Sequence, residues 1–509
     1  MPKRSTRREF MIQAGAVAAA GAMPAFGQRG AGSARRPNVL FLFPDQHRPD
    51  WVQGTPGIPV PTPNLSRLAA RATRFDNTLS AAPVCAPSRA CLASGREYDQ
   101  CGVTNNGFDY PREQYTFYRA LRDSGYRTMT CGKIDLSTSE LELGLTGQKH
   151  LDAWGFVDGM YSPGKGRGFR AYLKEPQGAK DVYYAYLERQ DKALARRVAE
   201  DYARRFGLTP EQAGASRAEQ QAEGGDTGRK DQQWIDTDAS PANDEQYVDN
   251  WIARTGLDLI ERAPKDEPWL LYVNYGGPHP PMDITASMER RYRGPDRVID
   301  GFPQPHDYKG DIKPEHHLRI RQNYAAMIEN IDRWTGAYLD ALERRGELDN
   351  TIIVYSSDHG EMLGDHGRWG KSVPFHPSAN VPLYVAGPGV RQGHRSDALV
   401  SLMDVAATFL DYGGVERPPE MESRSLRPVL EGKTEHHRDF VLSGLHTWRL
   451  AWDGRYKYIT GFGKSGEDLL FDLVEDPLED RNLAASAPKA ALRMREVLRE
   501  QKARASASA

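Results

Sequence analysis

Five short apolar runs recur along the chain: Val39–Phe43, Tyr126–Thr130, Trp269–Tyr275, Thr351–Tyr355 and Leu383–Ala386. Each has the length of a strand, and several are rich in β-branched or aromatic residues. Helical patterns lie between them, at Asn64–Ala72, Tyr115–Asp123, Tyr247–Arg262 and His317 to Arg345. Strands alternating with helices predict an α/β fold, a large mixed, mostly parallel sheet sandwiched by helices. Beyond Gly432-Lys433 the pattern changes. "FVLSGLHTWRLAWDGRYKYITGF" reads as two or three antiparallel strands with a turn at Asp453-Gly454. A terminal helix over about Pro488 to Lys502 then completes a smaller C-terminal α+β subdomain, residues 434–509. The stretch 152–244 shows many charges and little periodicity, and reads as a variable insert, partly helical around Ala185–Phe206.

Polar residues follow the apolar runs directly. "FPDQH" comes after the first, "CGKID" after the second, "GGPHPPMD" after the third and "SSDHGEMLGDHG" after the fourth. Open α/β sheets bind ligands beyond the carboxyl ends of their strands, so one rim is expected to gather Asp, Gln, Lys and His side chains.

Composition narrows the classes. In 509 residues, 39% apolar, the formal net charge is only −2, which argues against nucleic-acid binding by bulk electrostatics. Cys85, Cys91, Cys101 and Cys131 are too few for a disulfide scaffold and lack the paired spacing of a structural zinc cluster. The N-terminus has Arg7-Arg8, then Phe10 and a short Ala/Gly-rich apolar stretch ending near Ala25-Phe26-Gly27. It resembles a twin-arginine export signal over residues 1–27, with a linker at 28–36, and implies a periplasmic or secreted protein. No other segment approaches a transmembrane span, so no stable membrane insertion is expected.

The polar rim suggests specific chemistry. Asp45, Gln46, Asp358 and His359 offer oxygen-rich ligation with one imidazole, suited to a hard divalent cation such as Ca²⁺ or Mg²⁺. For Asp45 alone a turn-forming or capping role competes. Asp358-His359 gains weight from a second Asp-His pair, Asp365-His366. Lys133 and Lys371 follow glycines, where a flexible loop brings an ammonium to an anion. Prolines flank His279 and fix its backbone, as a positioned acid or oxyanion donor requires. Cys85 precedes Arg89 in "VCAPSRACLASGR" and has three readings: a structural thiol, a metal or redox cysteine, or a nucleophile or its precursor.

"CAPSRACLASGR" fits the signature Cys-x-Pro-Ser-Arg-x-x-Leu-x-x-Gly-Arg of the formylglycine-dependent sulfatases at all seven fixed positions. The resemblance extends in order through "PNVLFLFPDQ", "GYRTMTCGK", "PHPP", "SSDHGEMLGDHGRWGK" and "DGRYKYI", covering residues 37 to about 482 apart from 152–244. It implies an alkaline phosphatase-like fold and a catalytic domain over 37–433. It also implies conversion of Cys85 to Cα-formylglycine by a formylglycine-generating enzyme that reads Pro87 and Arg89. A hydroxyl of the hydrated aldehyde then attacks a sulfate ester. Carried over position by position, Asp45, Gln46, Asp358, His359 and modified Cys85 hold the cation. Arg89, Lys133 and Lys371 bind the sulfate oxygens, and His279 serves the leaving oxygen.

The resemblance has departures. Gln46 stands where many members have Asp. Asp135 replaces the histidine of Gly-Lys-x-His, either as a hydrogen-bonding substitute or as a turn former. His376 and Asn380 stand where relatives often have Glu and Arg. A sulfated carbohydrate is the expected substrate. A phosphonate monoester or phosphodiester hydrolase is the nearest rival, and a non-catalytic binding homologue is a more distant one.

Overall fold

The computed structural model describes residues 35–215, 231–295, 297–463 and 466–507. The expected export signal and most of the linker lie outside them. From Arg36 onward the chain is one unit built on an eight-stranded sheet. Its strands are β1 (Asn38–Asp45), β2 (Ala72–Phe75), β3 (Arg127–Gly132), β4 (Asp158–Tyr161), β5 (Trp269–Pro278), β6 (Thr351–Ser356), β7 (Leu383–Ala386) and β8 (His394–Ser396). In space the order is β8-β2-β7-β6-β1-β5-β3-β4. Only β7 runs antiparallel to its neighbours β6 and β2.

Central strands β1, β5 and β6 are buried along their whole length, which is why they read as continuous apolar runs. Alternate residues feed opposite layers. Val39, Phe41 and Phe43 join Leu270, Tyr272, Ile352 and Val354 in one core. Leu40 and Leu42 join Leu271, Val273, Ile353 and Tyr355 in the other. Helices Cys85–Ser94, Phe117–Asp123 and Asp404–Tyr412 pack on the first face. Helices Pro63–Ala69, Val248–Arg262 and the 32-residue Pro314–Arg345 cover the second. Neither core is reachable from water, so the sheet is a rigid platform with chemistry only at its ends.

Helix Cys85–Ser94 is buried at all ten positions and ends at Gly95, whose φ is +67°. A Cβ there would meet Met421 and Ser423 atoms at 2.4–2.7 Å, so only glycine closes this helix. The C-terminal part forms a four-stranded antiparallel sheet, β9 (Val441–Leu445), β10 (Trp448–Trp452), β11 (Tyr456–Thr460) and β12 (Leu469–Asp472). Helix Pro488–Ala507 packs on it through Ala491 and Met494. Asp453 Oδ1 accepts from the Arg455 and Tyr456 amides at the expected turn.

The structure differs from the sequence expectation at the sheet edges. The region 152–244 is not all insert, since β4 lies inside it and completes the sheet beside β3. "DGMY" carries no strand signal, because an edge strand of four residues needs no apolar repeat. The helix expected to Ala72 stops at Ala69, and Ala72 begins β2.

Candidate active site

β1 and β6 pair in parallel, from Asn38 against Thr351 to Leu42 against Tyr355, so both end at the same rim. Asp45 is the last residue of β1, and Asp358 and His359 lie just beyond β6. The backbone turns at Gln46 with φ of 70°, an uncommon conformation for a residue with a side chain. Three bonds hold the turn. The Gln46 amide donates to Asp358 Oδ1 at 3.0 Å, Tyr324 Oη donates to the Gln46 carbonyl at 2.6 Å, and Gln46 Nε2 donates to Glu361. Burial raises Glu361 to about 7.

Cys85 opens its helix facing this rim. Its sulfur lies 3.9 Å from Asp45 Oδ1 and 3.4 Å from His359 Nε2. His359 Nδ1 donates to the Gly360 carbonyl at 3.0 Å, which leaves Nε2 as the nitrogen turned toward the sulfur. One ligand atom each from Asp45, Cys85, Asp358 and His359 falls within 4.8 Å of every other, all four residues buried. Two carboxylates, an imidazole and the nearby Gln46 amide fit a hard divalent cation.

Three basic side chains close on the same point. Arg89 Nε donates to Asp358 Oδ2 at 2.9 Å, its Nη1 donates to Asn274 Oδ1 at 3.0 Å and to the Lys133 carbonyl, and its ring-facing side stacks over Phe43. Lys133 donates to Asp45 and lies 3.2 Å from Asp135 Oδ2. Lys371 Nζ bridges Gln46 Oε1 at 2.6 Å and the Cys85 sulfur at 3.3 Å. Burial opposes ionisation of Asp45, but the charges of Lys133, Lys371 and Arg89 outweigh it and hold the carboxyl well below the usual range. Burial and Asp45 oppose a Cys85 thiolate, yet Lys133, Lys371 and His359 bring the thiol down to about 6.

A cavity of about 150 Å³ opens onto Cys85, with Lys133 and His279 in its wall. His279 Nδ1 donates to the Pro280 carbonyl, so Nε2 is the free nitrogen. Burial, reinforced by Lys371 and Lys133, keeps this imidazole neutral, well below the usual histidine range. The structure thus brings together the nine residues assigned to the reaction or the cation by the resemblance: Asp45, Gln46, Cys85, Arg89, Lys133, His279, Asp358, His359 and Lys371.

Other expectations change. Asp365-His366 does not join the cluster: Asp365 pairs with Arg48 at 2.6 Å, and His366 stacks on Phe375. His376 and Asn380 bond to each other at 2.9 Å and line a separate cavity with Arg48 and His306. Asp135 is no simple turn former, because it pairs with both Lys133 and Arg167. Sequence reasoning missed Asn106, Lys165, Arg167, Asn274 and Glu361. Asn106, whose Oδ1 accepts from the Ala86 amide at 2.9 Å, lies in an irregular segment with no periodic or motif signal. Cys91, Cys101 and Cys131 are free and buried. Among the described residues no helix is long and apolar enough to cross a membrane.

Comparison with known proteins follows the same lines. The family model described as Sulfatase matches residues 37–415, and that described as N-sulphoglucosamine sulphohydrolase, C-terminal, matches 364–505. An arylsulfatase of Clostridium perfringens is 26% identical over 478 residues, covering 89% of this chain and 91% of its own. An N-acetylglucosamine-6-O-sulfatase of Bacteroides thetaiotaomicron is 27% identical over 490 residues, with 89% and 83% covered. A choline-sulfatase of Rhizobium meliloti is 29% identical over 490 residues, with 88% and 82% covered. Two solved structures share the fold. One is BT4656 in complex with its substrate D-glucosamine-2-N,6-O-disulfate, at TM-score 0.68 and 20% identity, covering 93% of this chain and 98% of that one. The other is a phosphonate monoester hydrolase of Agrobacterium radiobacter, at 0.71 and 23%, covering 92% and 96%.

Proposed function

The chain belongs to the sulfatase family, and on that premise we propose that it hydrolyses the sulfate ester of a sulfated saccharide through Cys85 converted to Cα-formylglycine. A divalent cation, Ca²⁺ or Mg²⁺, is held by Asp45, Gln46, Asp358, His359 and the modified residue 85. The observation that carries this reading is the convergence of Cys85 with two carboxylates and an imidazole inside a ring of three cations. Maturation by a formylglycine-generating enzyme and twin-arginine export to the periplasm or beyond belong to the same reading.

Bound there, the cation would supply Lewis acidity toward the sulfate, and the hydrated aldehyde a hydroxyl able to attack sulfur. The chain's own residues do the rest. Lys371, partly exposed and poised between Gln46 and residue 85, takes a sulfate oxygen and keeps its charge in place as the ester bond stretches. Lys133 faces the same oxygens from the other side. Arg89 is tied to Asp358, Asn274, the Lys133 carbonyl and, at 3.5 Å, Asp45, so it holds the two carboxylates in register. An incoming sulfate adds negative charge beside His279 and favours its protonated form, whose Nε2–H is then placed to reach the leaving oxygen.

The relatives act, by their names, on aryl, N-acetylglucosamine 6-O- and choline sulfates. The cavity here is lined by Asn106, Thr138 and Lys165 and, among the described residues, by no aromatic ring other than His279, which suits a hydroxyl-rich substrate better than a quaternary ammonium. The test uses protein produced together with a formylglycine-generating enzyme, assayed on an aryl sulfate, sulfated monosaccharides and an aryl phosphonate monoester. Turnover of sulfates, lost in Cys85→Ala and Asp358→Ala with folding intact, is the expected result. Preference for the phosphonate would overturn the substrate class, and full activity of Cys85→Ala would overturn the mechanism.

A further inference from the structure

The catalytic cavity carries more positive charge than one sulfate group requires. Arg167 and Lys165 line it together with Lys133, and Asp135 is the one carboxylate among its described lining residues. That carboxylate is already committed. Its Oδ1 lies 2.6 Å from Arg167 Nη2 and its Oδ2 3.2 Å from Lys133 Nζ. The Asp135 backbone sits at φ 53°, a strained setting that persists because two cations grip the side chain.

The two extra cations differ in what they have left to offer. The Lys165 ammonium, with only 1% of its side chain exposed, is taken up by Asp283 Oδ1 at 2.8 Å, Tyr247 Oη at 2.9 Å and Met327 Sδ at 3.2 Å. It is wall. Arg167 is fixed by three bonds: Nη1 to the Ser137 carbonyl at 3.1 Å, and Nη2 to Asp135 and to Tyr161 Oη at 3.1 Å. A guanidinium has five N–H donors. Its Nε–H and one Nη1–H meet no acceptor among the described residues, and 18% of the side chain stays exposed. A cation held still, with donors to spare and facing the nucleophile's cavity, is preorganised to take a carboxylate or sulfate.

We infer that Arg167 is a specificity-determining residue that reads a second acidic group, a carboxylate or a second sulfate, on the substrate next to the ester being cleaved. The inference rests on the sulfatase reading of this site. At about 150 Å³ the cavity is smaller than ordinary ligand pockets of roughly 300–1,000 Å³, so the second group is a near neighbour of the first. A cationic substituent is disfavoured, since no uncommitted carboxylate and no Phe, Tyr or Trp ring stands among the described lining residues.

The test compares 2-carboxyphenyl sulfate with phenyl sulfate in the formylglycine-bearing protein and in Arg167→Met and Arg167→Lys. The ratio of kcat/KM for the two esters is expected to fall at least 10-fold in Arg167→Met, mainly through KM, and to recover in part in Arg167→Lys. A second measurement needs no variant: 2-sulfobenzoate is expected to inhibit the parent protein at least 10-fold more tightly than benzenesulfonate. An unchanged ratio in Arg167→Met, or equal inhibition by the two sulfonates, overturns the inference while leaving the sulfatase reading standing. Failure of the parent to cleave either ester or any sulfated monosaccharide overturns both.

Discussion

Arg89 and Asp358 form an ion pair that water does not reach: Nε and Oδ2 are 2.9 Å apart, with 1% and 0% of the two side chains exposed. Removing one partner of such a pair leaves an uncompensated buried charge, a loss of about 3–5 kcal/mol. Arg89→Ala is therefore expected to unfold at markedly lower urea and to lose activity. Arg89→Lys recovers only part, because an ammonium cannot serve Asp358, Asn274 and the Lys133 carbonyl together. Equal unfolding midpoints for Arg89→Ala and the parent would refute the structural role.

Gln46→Asp adds a carboxylate to the expected cation site, yet is expected to be harmful here. Gln46 Nε2 donates to buried Glu361, and an aspartate would replace that donor by a second carboxyl group. The expected loss in chelator-treated protein is about 1–3 kcal/mol. Adding Glu361→Gln in the same chain should return most of it, and a double-mutant cycle by chemical denaturation measures the coupling.

Acid sensitivity should trace to Asp404. Its burial favours the neutral acid, but Arg438 and His437 outweigh burial and hold the carboxyl well below the usual range. A carboxyl depressed on folding contributes stability that is present above its unfolded pKa, near 4, and is lost as pH falls through the folded value. Asp404→Asn should thus destabilise the protein at neutral pH and flatten the decline in stability below pH 4. Parallel pH profiles for variant and parent, from urea denaturation, would show that the acid limb arises elsewhere.

Glu479 ties the C-terminal sheet to the catalytic part. Its Oε1 accepts from buried Lys457 at 2.6 Å and its Oε2 from the His376 amide at 2.6 Å. Glu479→Ala strands the Lys457 ammonium and should lower stability by about 3–5 kcal/mol. The pair Glu479→Leu with Lys457→Met should melt well above Glu479→Ala alone, since no charge is then left buried.

What the sequence disclosed follows from how each residue is constrained. Val39–Phe43 and Thr351–Tyr355 are legible because a strand buried on both faces has to be apolar throughout. Asp45, Asp358 and His359 are legible because they end such strands, and Cys85 because its neighbours match a long pattern. Arg167, Lys165 and Asn106 are set by packing between distant segments, and nothing local marks a lone polar residue in a loop as facing a cavity. Asp365-His366 shows the reverse error. The same dipeptide as Asp358-His359 sits seven positions on, but the chain has already turned away, and Arg48 claims its carboxylate. The short edge strands β4 and β8 escape for a related reason: they are held by a single neighbour and need no apolar repeat.

The complete burial of helix Cys85–Ser94 bears on the order of events in the life of the chain. Cys85 is 2% exposed, and every residue through Ser94 is packed against the core. An enzyme that oxidises this cysteine has to draw the surrounding peptide, Arg89 included, into its own cleft. From the folded protein that would mean extracting a helix closed by Gly95 and pinned by the Arg89–Asp358 pair. On the proposed reading, oxidation would belong to the interval between synthesis and folding, and a chain that folds first would keep an unmodified thiol. Yield of active protein should depend on the race between those two rates, so slowing folding during production is a route to more complete conversion.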